Sequence, residues 1–154
     1  MTGYELEDEF ISRTEKNLRT IEKLSRQGES VYEVTQLINS LLGLLVFPRE
    51  VFLDNIPRIS RENMEKEGWP LPDERIGQVR HLRELVKNLR NGVAHCNIEL
   101  ITNGSEIDGI QFKNYDLKDK EKTNPLWIGI YRLDQLRRFV DMFLSRISKN
   151  KPLR

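Results

Sequence analysis

Three residues near the middle of the chain have the types and spacing for phosphoryl chemistry: Arg90, Asn91 and His95 in Leu89-Arg90-Asn91-Gly92-Val93-Ala94-His95. A guanidinium presents a planar fork of donors that matches phosphate oxygens and stabilises the extra charge of a phosphorane-like transition state. An imidazole titrates near neutrality, so it can move the proton of an attacking 2′-hydroxyl or of a leaving 5′-oxygen. A neutral amide orients either group without changing the charge. Together they suit cleavage of an RNA phosphodiester, a reaction that demands no metal because the nucleophile is already on the substrate.

These residues need a helix to present them. The third helix is predicted from about Glu74 into the Arg90 to His95 region, with Leu82, Leu85, Val86, Leu89 and Val93 as its apolar stripe. Arg80, Arg83, Lys87 and Arg90 form a basic stripe opposite, and the first three are the candidates for gripping the RNA backbone. Asn91 and His95 sit one turn apart and address the same point. Arg90 and His95 are roughly 140° apart on an ideal helix, so a long guanidinium or a loosened final turn must bring them together. By itself such a basic stripe is the ordinary solvated face of an amphipathic helix, and Glu84 lies within reach of Arg80.

The other elements are predicted around this one. A first helix spans Glu5 to about Arg26 and ends at Gln27-Gly28. Ser30-Val31-Tyr32-Glu33 has capping-box order and opens a second helix towards Val46 that is apolar nearly all round, hence central or shared with a second subunit. Pro48 interrupts it, and the proline-bearing stretch to Asp73 reads as irregular or short helical pieces, with Trp69 pinning it to the core. Strands are expected at Ile98 to Thr102, Ile107 to Tyr115 and Trp127 to Tyr131, the first two around an Asn103-Gly104 turn longer than two residues. A final helix covers Leu133 to Ser148, and the tail at about 149–154 frays.

The chain of 154 residues suits one domain with a core of its own. Its 25 Lys and Arg nearly cancel 24 Asp and Glu, leaving +1, so any nucleic-acid binding must come from local placement of charge. One cysteine, Cys96, excludes an internal disulfide and reads as a buried structural thiol. His81 and His95 lack the neighbours of a metal site, and no Gly-rich phosphate loop is present. The acidic N-terminus has no signal-peptide order, and the longest apolar run, Leu41 to Phe47, is too short to span a bilayer. A cytoplasmic protein without membrane association, metal or cofactor is expected.

The segment Leu89 to His95 resembles the Arg-x4-6-His signature of the HEPN superfamily (higher eukaryotes and prokaryotes nucleotide-binding domain), with Asn91 as the polar residue that follows the Arg. The apolar helix at Ile38 to Pro48, the motif late in a following helix, the closing helix and the His95-Cys96-Asn97-Ile98-Glu99 continuation are similar to a bacterial and plasmid-borne HEPN nuclease branch. The resemblance implies a mainly α fold: a HEPN-type helical bundle over 1–154 with a small β-hairpin-like insertion at about 98–131, either a substrate-gripping flap or padding. It implies a homodimeric endoribonuclease in which Arg90 binds the scissile phosphate, His95 is general acid or base and Asn91 orients His95 or the substrate. Gly92 would allow backbones to approach at the two-fold axis. The products would be a 2′,3′-cyclic phosphate and a 5′-hydroxyl, and the role that of a toxin or phage-defence effector beside a neutralising antitoxin protein. HEPN relatives that bind nucleotides or proteins without cutting supply the alternative, a non-catalytic binding module.

Overall fold

The structure, a computed structural model, describes residues 3–46 and 56–149, with side chains over 9–45 and 56–146. The predicted interruption at Pro48 and the tail beyond Lys149 lie outside the described residues. The chain divides into two units, Met1–Arg49 and Glu50–Arg154.

The first unit is a helix pair, α1 (Gly3–Arg26) and α2 (Glu33–Val46). Ile11 and Leu18 of α1 are buried, as their helical spacing predicts. The chain leaves α1 where Gly28 takes φ +80° and the Glu29 N–H reaches back to the Leu24 carbonyl. Helix α2 starts later than the Ser30 cap would place it, with the Gln36 N–H donating to the Tyr32 carbonyl. Leu37, Ile38, Leu41, Leu44 and Leu45 are buried.

The second unit overturns the expectation of a mainly helical bundle. Among the described residues four strands join in one antiparallel sheet beside the helices, so the fold is mixed α and β. After α3 (Arg61–Glu67) come β1 (Asp73–Ile76), α4 (Leu82–Ala94), β2 (Ile98–Asn103), β3 (Glu106–Tyr115), β4 (Pro125–Arg132) and α5 (Leu133–Lys149). The strands form one antiparallel sheet in the order β1-β4-β3-β2. Three of them fall where alternation predicts. The fourth, Asp-Glu-Arg-Ile, has no alternating apolar pattern, and it is a strand because β4 offers it an edge. The β2–β3 hairpin is tighter than expected: Asn103 pairs with Glu106, and Gly104 takes φ +63° at the first of two loop positions, the pattern of a type II′ turn.

Cross-strand partners share a face, so the pairs Ile110–Tyr131, Phe112–Gly129 and Asn114–Trp127 define the covered side of the sheet. Helices α4 and α5 pack against β3, and α5 also against β4. Tyr131 and Phe139 rings lie 5.8 Å apart, Phe139 stacks on Phe143 at 5.7 Å, and Trp69 reaches Phe139 at 5.9 Å. Trp69 thus pins the segment before β1 to the core as its lone aromatic character suggests. Glu74 ties the sheet edge down: its carboxylate accepts from Trp127 Nε1 at 2.6 Å, Val79 N at 2.8 Å and Arg61 Nη1 at 2.6 Å. A buried carboxylate is tolerable only when paired and satisfied in this way. Among the described residues no helix is long and apolar enough to cross a membrane.

Candidate functional site

Helix α4 is the element that carries the motif, and its two ends are built differently. It begins at Leu82, not Glu74, because residues 73–76 are taken by the sheet edge. His81 is its N-cap: the ring Nδ1 accepts from the Glu84 N–H at 3.1 Å, and the Glu84 carboxylate accepts from the Arg80 N–H at 2.9 Å. This is a variant of the capping box, with an imidazole in place of the hydroxyl and the carboxylate reaching one residue past the cap. Leu82, Leu85, Val86 and Leu89 are buried, as the stripe predicts.

The basic stripe is shorter than the sequence suggests. Arg83, Lys87 and Arg90 share a face of α4, but Arg80 precedes the helix and its Nε lies 3.4 Å from Glu84 Oε2. Arg83 Nε donates to the Ile56 carbonyl at 3.1 Å. Arg80, His81 and Arg83 line a cavity of about 390 Å³ together with Arg58 and Ser60. That cavity sits at the N-terminal end of α4, about 20 Å from His95 at 1.5 Å per residue.

At the other end, the helix stops at Ala94 in a Schellman motif. The Asn97 N–H donates to the Gly92 carbonyl at 2.6 Å and the Cys96 N–H to the Val93 carbonyl at 3.1 Å. Cys96 occupies the left-handed position, φ +56°, that glycine usually fills. It is exposed, which corrects the expectation of a buried thiol. His95 is the C-cap at φ −103°, ψ 13°, so the final turn does loosen at the motif histidine. The helix end is held by Gly92, which is buried: a Cβ there would lie 3.3 Å from the Lys113 carbonyl oxygen and 3.5 Å from Phe112 Cβ. Within the chain, the close approach that Gly92 permits is between α4 and β3. Asn88, one turn earlier, accepts from Asn114 Nδ2 at 2.8 Å and fixes the same contact.

Arg90 and Asn91 are half-buried and His95 is exposed. Among the described residues none of their three side chains has a hydrogen-bond or ion-pair partner, so each is free to meet a ligand. His95 opens on a pocket of about 210 Å³ shared with Asn97, Tyr115, Asp116, Leu117, Asp119, Lys120 and Lys122. The β3–β4 loop supplies most of that wall. Asp119 organises it, accepting from Asn124 N at 2.8 Å, Thr123 N at 3.2 Å and Thr123 Oγ1 at 3.3 Å. The Asn124 N–H above all, with Thr123, holds the Asp119 carboxyl below its usual value against opposing desolvation. The turn places Lys122 at φ +53°, and its Nζ donates to the His95 carbonyl at 3.3 Å and to Asn97 Oδ1 at 2.5 Å.

The sequence reading singles out Arg90, Asn91 and His95 and passes over the loop. Lys118-Asp119-Lys120-Glu121-Lys122 reads only as charged and solvated, and nothing in it marks Lys122 off from its neighbours. Among the described residues no three His, Cys, Asp or Glu side chains gather as metal ligands.

The arrangement brings a cation, an amide and an imidazole to one solvent-facing helix end beside a pocket with two lysines. No curated protein and no solved structure matches the chain. A family model, HEPN pEK499 p136, matches residues 1–153. Its span takes in both units, the Arg90-to-His95 motif and the sheet alike, and the chain belongs to this HEPN family.

Proposed function

We propose that the protein is a metal-independent endoribonuclease. The observation that carries this reading is the placement of Arg90, Asn91 and His95 at the exposed end of α4, where none has a partner among the described residues. Membership of a HEPN family supports a nuclease or nucleotide-binding role for that end of the helix. In the proposed reaction the 2′-oxygen attacks the neighbouring phosphorus while its proton departs, and the bond to the 5′-oxygen breaks as that oxygen gains a proton. His95 performs one of these proton transfers, and Arg90 stabilises the charge gathering on the phosphate. Asn91 orients the imidazole or the substrate. Lys87 and Arg83 bind the RNA backbone along α4, and Arg80 meets it beyond the helix start, at the N-terminal cavity.

The same reading makes the protein a homodimer with the motif helices facing one another. It also makes it a cytoplasmic toxin or phage-defence effector held in check by a neutralising protein. The test is direct. Purified protein incubated with single-stranded RNA in EDTA should yield fragments ending in 2′,3′-cyclic phosphate and 5′-hydroxyl, while DNA, lacking the nucleophile, stays whole. Cleavage that requires added Mg²⁺ would overturn the mechanism. RNA or nucleotide binding with no cleavage under any condition would turn the assignment to a non-catalytic binding module.

A further inference from the structure

We propose that Lys122 is a phosphate-binding residue of the site around His95, so that the β3–β4 loop takes part in substrate recognition. The ligand is a phosphodiester of single-stranded RNA next to the scissile one, and the assignment rests on the ribonuclease reading above.

Four observations carry it. Lys122 holds a left-handed backbone, φ +53°, in a turn where glycine or asparagine would fit with less strain. Strained positions of this kind gather where a particular side chain is required. The loop is built to hold it there, since Asp119 accepts from Thr123 and Asn124 on the residues that follow, and the Lys122 N–H donates to the Asp119 carbonyl. The ammonium then reaches the end of α4, using two of its three protons on the His95 carbonyl and Asn97 Oδ1. Both acceptors are neutral, and among the described residues no carboxylate lies within ion-pair distance of Lys122, so the ammonium forms no ion pair there and one N–H is left over.

The surroundings fit an RNA strand. Lys122 shares its pocket with His95, Lys120 and Tyr115, whose ring adds a surface on which a base can stack. Asp116 and Asp119 are in the pocket too. Their oxygens are engaged by loop N–H groups, Lys118 N on Asp116 and Thr123 N and Asn124 N on Asp119, which offsets part of their charge. A phosphate entering beside His95 meets the ammonium, whose anchoring bonds fix its position before the substrate arrives.

The test must separate a phosphate contact from a lysine that merely pins the loop. Lys122→Gly removes the charge and keeps the left-handed turn, and Lys122→Arg keeps the charge. Binding of a single-stranded RNA oligonucleotide is followed by anisotropy in a His95→Ala background, with salt raised from about 50 to about 200 mM. Lys122→Gly should weaken binding roughly tenfold, the scale of one charge-assisted hydrogen bond. It should also make the plot of log affinity against log salt shallower by about 0.7, the signature of one lost contact to a single strand. Lys122→Arg should keep the slope. With His95 restored, Lys122→Gly should raise KM more than it lowers kcat. A folded Lys122→Gly protein with unchanged affinity and salt slope, beside a wild type that cleaves, overturns the assignment of Lys122 alone. A wild type that neither binds nor cleaves RNA overturns the ribonuclease reading and this inference together.

Discussion

His95 and Arg90 differ in what their loss should do. His95 is exposed and its side chain has no partner among the described residues, so His95→Ala should leave the fold unchanged while cutting the cleavage rate about 10²- to 10⁴-fold. RNA affinity should fall little. Arg90→Ala should lose about 3 to 4 kcal/mol of transition-state stabilisation and weaken binding as well, because a guanidinium on a phosphate is a ground-state contact too. Circular dichroism makes both comparisons fair, and wild-type cleavage by folded His95→Ala would remove it from the mechanism. Asn88, four residues before Gly92, is the opposite kind of residue. It is buried and holds the half-buried Asn114 amide, so Asn88→Ala should destabilise the protein by about 1 kcal/mol, the net worth of one such hydrogen bond. A denaturant midpoint equal to wild type would show that water or another group takes its place.

At the level of elements, the end of α4 combines one tight contact with one strained residue. Gly92 lets the helix lie on β3 with only 3.3 Å between a notional Cβ and a backbone oxygen. Gly92→Val should push the two apart and cost about 1 to 3 kcal/mol, the range for overpacking, and it should lower activity by displacing His95. The Cys96 position asks for the reverse. Its left-handed backbone disfavours any Cβ, so Cys96→Gly should raise stability by up to about 1 kcal/mol with the cleavage rate retained. Thermal melts of both variants check the pair. A destabilised Cys96→Gly would mean that its side chain makes a contact worth more than the strain.

Two predictions belong to the whole molecule. The proposed composite site needs two copies of the motif, so the mass by light scattering at micromolar concentration should be that of two chains. Mixed Arg90→Ala and His95→Ala proteins then distinguish the arrangements. Recovery of activity means that each site draws one residue from each copy, and no recovery means a complete set per copy or a fully shared site. A single-chain mass that persists on concentration would refute the dimer. The second prediction concerns alkaline stability. Burial pushes the Tyr131 phenol well above its ordinary 10.0, and Glu74 adds to the shift. A group whose folded value is raised contributes stability that is intact below the unfolded value and falls away as pH climbs above it. Wild type should therefore exceed Tyr131→Phe in stability at neutral pH by roughly 1 kcal/mol, from the bond of its hydroxyl to the Pro70 carbonyl at 2.9 Å. The gap should narrow and reverse above about pH 10. A constant gap through that range would show that the phenol does not stay neutral in the folded protein.

What the sequence determined by itself is what depends on neighbours along the chain. Helical spacing located α1, α2 and α5, alternation located β2, β3 and β4, and the Arg90-to-His95 spacing located the motif, because each pattern repeats within one element. The tertiary structure alone decided what depends on partners far along the chain. Residues 73–76 carry no strand pattern and became β1 only because β4 supplies the other half of their hydrogen bonds, which shortened α4, moved Arg80 off its basic stripe and turned a presumed helical bundle into a sheet with helices on one face. Gly92 gave no sign whether its closeness serves a neighbouring chain or its own β3, since a missing Cβ specifies room and not the occupant. Lys122 was one charge in a charged loop. It became a neighbour of His95 across 27 residues because Asp119 closes the turn and β3 pairs with β4, and hydrogen bonds of that kind leave no periodicity to read.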